Sequence, residues 1–160
     1  MFQLSKEAKD FVKKELKRYE DHFSAIIPCL YKAQEENGWI SSEVVDCLAK
    51  ELDIPHARIW EVAKFYTMFN KEPLGKYHIQ VCCNISCSMA GGRELTKFIC
   101  KKLGIEEGGV SENGKYTVSR VECLGSCDTA PMMQVNDEDH ENLTEEKIEK
   151  LLKSEFKQNG

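Results

Sequence analysis

Four cysteines in two short-spaced pairs are the residues of this chain best suited to chemistry. Cys82 and Cys87 follow the spacing C-x4-C, and Cys123 and Cys127 follow C-x3-C. A thiolate is a soft anionic donor. Four of them brought together make either a structural zinc site or the ligand set of a [2Fe–2S] cluster. The two outcomes differ in function: zinc holds a shape, whereas an iron–sulfur centre moves single electrons. Spacing leans towards iron. Zinc knuckles most often use C-x2-C, which neither pair shows, and plant-type ferredoxins use a C-x4-C pair. On spacing alone the zinc reading stays open, and a spectrum separates the two, since the iron centre is coloured and zinc is not.

The sequence holds eight cysteines. Cys29, Cys47 and Cys100 lie in helical apolar patterns and read as core thiols. Cys83 directly follows Cys82. In extended chain its side chain points to the opposite side, so it reads as a bystander that could replace a lost Cys82. No C-x-x-C is present, which argues against a thiol–disulfide enzyme. The histidines (His22, His56, His78 and His140) are scattered, and none sits beside a cysteine pair as a Rieske centre requires.

At 160 residues the chain accommodates one domain or two small ones, and a hydrophobic fraction of 41% is enough for packed cores. A formal charge of −5 argues against nucleic acid as a partner. No stretch approaches the roughly 18 apolar residues of a membrane-spanning helix. The first ten residues carry acids and no apolar core, so neither a secretory nor a transit peptide is visible. These features predict a cytoplasmic protein in which cysteines are not disulfides by default.

The elements that must position the thiols fall into two halves. In the first, Leu4, Ala8, Phe11, Val12, Leu16 and Tyr19 recur at helical steps, with Ser5 as N-cap. A second helix is expected from about 25 to 36, ending at Asn37-Gly38, with Pro28 in its first turn. Ser41 or Ser42 caps a third, which Asp53-Ile54-Pro55 breaks. Pro55 opens a fourth with Ile59, Val62, Ala63 and Tyr66 as its stripe. Four such helices predict a small bundle over residues 1–72.

The texture changes at Lys71-Glu72-Pro73-Leu74-Gly75, read as a linker. Tyr77, Ile79 and Val81 alternate as a strand that ends at Cys82. Leu95, Phe98, Ile99 and Leu103 mark a helix closed by Gly104. A strand near 116–121 ends just before Cys123, and a short one follows at 132–135. Asn136-Asp137 offers a turn into an edge strand. Thr144 caps a last helix carrying Ile148, Leu151, Leu152 and Phe156. This predicts an α+β protein: a small N-terminal helical bundle, then a thioredoxin-like α/β domain over residues 73–160. Both cysteine pairs then fall in loops past strand ends, where they can meet above one sheet.

The runs Val81-Cys82-Cys83-Asn84-Ile85-Ser86-Cys87, Glu122-Cys123-Leu124-Gly125-Ser126-Cys127 and Ala130-Pro131-Met132-Met133-Gln134-Val135-Asn136-Asp137 resemble the thioredoxin-like [2Fe–2S] subunit family of NADH:quinone oxidoreductase, respiratory complex I. In the first half, Gln34-Glu35-Glu36-Asn37-Gly38-Trp39-Ile40 and Glu61-Val62-Ala63-Lys64-Phe65-Tyr66-Thr67-Met68-Phe69 agree with it, as does Gly75-Lys76-Tyr77-His78-Ile79-Gln80-Val81-Cys82. Two departures stand out: the doubled Cys82-Cys83, and Asp139-His140 where relatives often carry aromatics. The resemblance implies one [2Fe–2S] cluster on Cys82, Cys87, Cys123 and Cys127. It also implies a larger partner subunit that binds FMN and NAD(H), and a place in the peripheral arm of a membrane-associated or soluble complex. The chain is then an electron-transfer subunit of an NADH dehydrogenase and is not catalytic alone.

The alternatives are the same subunit type in an NAD-linked or electron-bifurcating hydrogenase or formate dehydrogenase, and a free thioredoxin-like ferredoxin. A free ferredoxin needs no helical first half. Gly91-Gly92 and Gly108-Gly109 read as turn residues rather than phosphate cradles, and no nucleotide-binding glycine loop opens a helix. Trp60, Phe65, Tyr66 and Met68 read first as core, with part of the stripe free to face a partner.

Overall fold

The computed structural model describes residues 2–154. They fold as two compact units with the division between Pro73 and Leu74.

The first unit is helical. Helix α1 (Lys6–Arg18) starts where the Ser5 hydroxyl accepts the Ala8 amide at 3.1 Å, satisfying one of the donors a helix start leaves open. Ser5 is itself braced by Glu36, whose carboxylate accepts from both its amide and its hydroxyl. A short 3-10 turn (His22–Ala25) leads into α2 (Ile26–Asn37), in which Pro28 occupies the first turn and Gly38 closes the end at φ 81°. Helix α3 (Ser42–Leu52) is capped by Ser41, and Asp53 ends it in the left-handed region. Pro55 sits at the cap position of α4 (His56–Phe65), one residue before the helix rather than inside it.

Leu30, Leu48, Leu52 and Ile59 are fully buried where these helices meet. Each contributes about 2 kcal/mol by leaving water. Cys29 lies in this core, and burial, reinforced by the buried Glu15 carboxylate, pushes its thiol up to about 12. Cys47 and Cys100 are only half-buried, Cys47 at the margin of this core and Cys100 at that of the second unit.

The aromatic stripe divides. Phe69 is fully buried with its ring 5.1 Å from that of Tyr31, and Trp60 and Met68 flank the core. Phe65 and Tyr66 are 77% and 36% exposed; Phe65 is the last residue of α4, and from Tyr66 on the chain no longer follows the helical period.

The second unit is a four-stranded mixed sheet whose strands lie side by side in the order Tyr116–Val121, Tyr77–Cys82, Met133–Val135, Glu138–His140. Strand β1 (Tyr77–Cys82) pairs in parallel with β2 (Tyr116–Val121), Cys82 opposite Val121. It pairs antiparallel with β3 (Met133–Val135), which turns through Asn136 into β4 (Glu138–His140). Between β1 and β2 run a five-residue helix α5 (Ile85–Met89) and α6 (Gly92–Leu103), which Gly104 ends at φ 66°. The last helix, α7 (Glu145–Ser154), has Thr144 accepting the Lys147 amide at its start. Phe156, expected on that helix, lies outside the described residues. Ile79, Val81, Val118, Ile99 and Ile148 form the core.

One glycine holds the parallel pair together. A Cβ on Gly75 would stand 2.5 Å from the Tyr116 carbonyl carbon and 2.8 Å from that of Lys115, and the Gly75 amide donates to the buried Thr117 hydroxyl at 2.9 Å. Backbone cannot yield as a flexible side chain would. Gly75→Ala is therefore expected to cost about 3 kcal/mol, read as a lower thermal midpoint. An unchanged midpoint would show that the strands part without penalty.

Candidate metal centre

The four thiols sit on two loops that leave the same end of the sheet. Cys82 is the last residue of β1, where side chains alternate across the sheet, and the interior Ile79 and Val81 place Cys82 on the opposite side from the main core. Cys87 faces inward from α5. That helix starts at Asn84, whose side chain accepts the Ile85 amide at 2.7 Å. Cys123 follows β2 by two residues, and Cys127 opens a single 3-10 turn (Cys127–Thr129). Gly125, at φ 89°, makes the bend between them in a conformation that other residues resist. The turn is closed by the Thr129 amide and hydroxyl, both donating to the Ser126 carbonyl at 3.3 Å.

The two loops meet. Cys82 and Cys87 are buried with Met132, which is fully enclosed, and Leu124 and Ala130 pack against them. The Cys82 amide donates to the Met132 carbonyl at 3.1 Å, and its thiol approaches the Glu122 carbonyl, one residue before Cys123, at 3.7 Å. The Cys87 thiol is pushed up, first by burial. A hydrogen bond from the Met132 backbone acts against this, while Cys82 and Cys127 both lie close enough to raise it further. Cys82 and Cys87 are thus packed together, with Cys127 near enough for its charge to act on Cys87. Cys123 and Cys127 are exposed. Among the described residues, no three histidine, cysteine or acidic side chains already stand in a metal-binding arrangement.

Cys83 lies elsewhere. Its amide donates to the Val121 carbonyl at 2.9 Å, and its thiol is 3.8 Å from the Thr96 hydroxyl. It lines a cavity of about 360 Å³ with Arg93, Glu107, Arg120, Val121 and Glu122, a lining that includes none of the four candidate ligands. Three of the four histidines bond away from the loops: His22 meets the Leu52 carbonyl, His56 pairs with Asp46, and His78 meets the Ser119 hydroxyl. Burial holds the His78 imidazole below its usual range.

Helix α5 is an element that the sequence pattern does not announce. It presents Ile85 and Met89 to solvent, 75% and 85% exposed, beside the inward Cys87. No helix among the described residues is long and apolar enough to cross a membrane.

The family model for thioredoxin-like [2Fe–2S] ferredoxins matches residues 12–155. The chain belongs to that family. Its curated relatives include an NADH-quinone oxidoreductase subunit of Rickettsia felis, 46% identical over 140 residues that cover 86% of this chain and 84% of that protein. The corresponding NADH-quinone oxidoreductase subunit of Rhizobium meliloti is 42% identical over 137 residues, covering 86% and 82%. Among solved structures, an NAD+-reducing [NiFe]-hydrogenase in the air-oxidized state superposes with a TM-score of 0.70 at 21% identity, over 82% of this chain and 23% of that one. At that identity the likeness speaks to the fold. The family also decides between the two metals left open by spacing, because its members are iron–sulfur proteins. The donor set agrees: four free thiols, two of them in a dry apolar corner, suit a cluster with sulfur ligation.

Proposed function

We propose that this chain is the electron-transfer subunit of an NADH:quinone oxidoreductase. It holds one [2Fe–2S] cluster on Cys82, Cys87, Cys123 and Cys127 and exchanges single electrons with the FMN of a larger, NADH-binding partner in the peripheral arm. The observation that carries the reading is the packing of Cys82 and Cys87 against Leu124 and Ala130 of the segment that bears Cys123 and Cys127, in a chain whose relatives at 42–46% identity bear that oxidoreductase's name. The helical unit, residues 1–72 by the sequence reading, supports a subunit over a free ferredoxin, since a free ferredoxin has no use for it.

The cluster, when bound, supplies a one-electron store. The protein's own groups set its surroundings. Met132, Leu124 and Ala130 keep water from the Cys82 and Cys87 side. The Met132 amide is placed to donate to the Cys87 sulfur, where a hydrogen bond favours the more negative, reduced state. Exposed Cys123 and Cys127 keep the other side near solvent, and Glu122 and Asp128 put carboxylates beside them in sequence.

All-thiolate ligation and flanking acids predict a low potential, within a couple of hundred millivolts of roughly −400 mV. Anaerobic reconstitution of the full chain, followed by visible spectra and a redox titration monitored by EPR, tests this. A colourless zinc-loaded protein, or a positive potential, would contradict the reading. Identifying the subunits that co-purify from native cells distinguishes a quinone oxidoreductase from a hydrogenase or formate dehydrogenase parent.

A further inference from the structure

The loop between the first two candidate ligands is closed by side chains that neither the family nor the ligand reading assigns. Ser88 follows Cys87, and its hydroxyl donates to the carbonyl of Cys83, which follows Cys82, at 2.7 Å. A serine inside a helix ordinarily bonds back to the carbonyl four residues earlier. Here the Asn84 carbonyl accepts the Ser88 amide at 2.7 Å, and the hydroxyl goes elsewhere. The hydroxyl reaches past the start of α5 to a residue outside the helix. Arg93 holds it there, its Nε donating to Ser88 Oγ at 3.1 Å from the first turn of α6.

With this bond every polar group of Cys83 is engaged: the amide by Val121, the carbonyl by Ser88 and the thiol by Thr96. The Thr96 hydroxyl in turn donates to the Gly92 carbonyl at 2.9 Å. The peptide after Cys83 is therefore fixed in orientation. Pairing of β1 sets which of the two adjacent cysteines faces Cys87, and the fixed peptide sets the direction in which the loop leaves them.

We propose that the Ser88 hydroxyl, steadied by Arg93, is a positioning group for the cluster. It joins the residues that follow the two ligands and holds the Cys82–Cys87 loop at the span the pair of thiolates requires. The inference rests on the ligand reading above. Ser88 touches no ligand sulfur; it acts through the backbone that carries them. Without the hydroxyl the loop opens more often, and each opening exposes the Cys82 and Cys87 side to solvent and competing ligands.

The test uses the full, cluster-loaded chain and the variants Ser88→Ala, Ser88→Thr and Arg93→Gln. Bleaching of the visible band under an iron chelator gives the rate of cluster loss, and EPR of the reduced state reports ligand geometry. The thermal midpoint of the cluster-free chain reports folding alone. Loss of one net hydrogen bond predicts cluster release about fivefold faster in Ser88→Ala, with a broadened EPR signal and a cluster-free midpoint lowered by no more than about a few degrees. Ser88→Thr keeps a hydroxyl and should return to near the parent rate. Arg93→Gln should fall between. A Ser88→Ala variant that releases its cluster at the parent rate overturns the proposal. So does a threonine variant as fast as the alanine one, or a midpoint that falls in step with retention. A parent chain that takes up no cluster overturns the ligand reading and this inference together; a normally loaded parent with an indifferent Ser88→Ala overturns the inference alone.

Discussion

Serine in place of Cys127 is expected to abolish or strongly change the reduced-state EPR signal of the reconstituted chain, and serine at Cys82, Cys87 or Cys123 to do the same. Each thiolate removed leaves an iron with a harder, more weakly bound oxygen donor, and four-point attachment is what retains the group. The same change at Cys29, Cys47 or Cys100 should leave the signal as it is. Cys29 is sealed in the helical unit with its thiol held neutral, and Cys100 belongs to the margin of the α6 packing. A normal spectrum from Cys127→Ser would remove it from the ligand set. Cys83 adds an informative case. Its thiol lines a different cavity and its backbone is tied at both ends, so Cys82→Ser should not be rescued by it. A surviving signal in Cys82→Ser that disappears in the double Cys82→Ser/Cys83→Ser variant would show that the tie is weaker than its geometry implies.

The second large effect is on turnover with NADH. The isolated, cluster-loaded chain is expected to show no NADH oxidation above background with any one-electron dye, and its cluster should stay oxidised when NADH is added. A reduced nicotinamide delivers two electrons as hydride, whereas the cluster takes one at a time. A flavin is the group that accepts the pair and releases electrons singly. Addition of the proposed flavin-binding partner should make the cluster reducible by NADH, which EPR reads directly. Reduction by NADH in the partner's absence would place a hydride acceptor on this chain and end the reading of it as a subunit that only relays electrons.

Much of the architecture is written in local chemistry. Helices α1, α3 and α7 begin at residues whose hydroxyls accept the amide three positions on, as the runs after Ser5, Ser41 and Thr144 imply. Gly38 and Gly104 end helices in a backbone region that glycine enters without penalty. Strand β1 shows its inward face through Ile79 and Val81 alone. What escapes the sequence are elements too short or too polar for a period to appear. Helix α5 spans five residues and turns Ile85 and Met89 outward, the reverse of an amphipathic signal. Strand β4, reading Glu-Asp-His, is also short and carries no apolar alternation, yet the Asn136-Asp137 turn announces an edge strand there, and β3 offers it hydrogen bonds.

The candidate centre divides the same way. The spacing of the two cysteine pairs names a donor chemistry, because type and separation of thiols are properties of the chain. Which sulfurs are dry, and which way each faces, are not. Cys82 and Cys83 are neighbours of identical type, and only pairing with β2 and β3, with Ser88 and Thr96 on either side, sends one towards Cys87 and the other into a separate cavity. Phe65 and Phe69 sit four residues apart, yet one is 77% exposed and the other fully buried. The helix that would have put them on one face ends at Phe65. Patterns of one to four residues fix chemistry and local geometry. Burial and orientation depend on contacts between segments far apart in the chain, so only the folded molecule decides them.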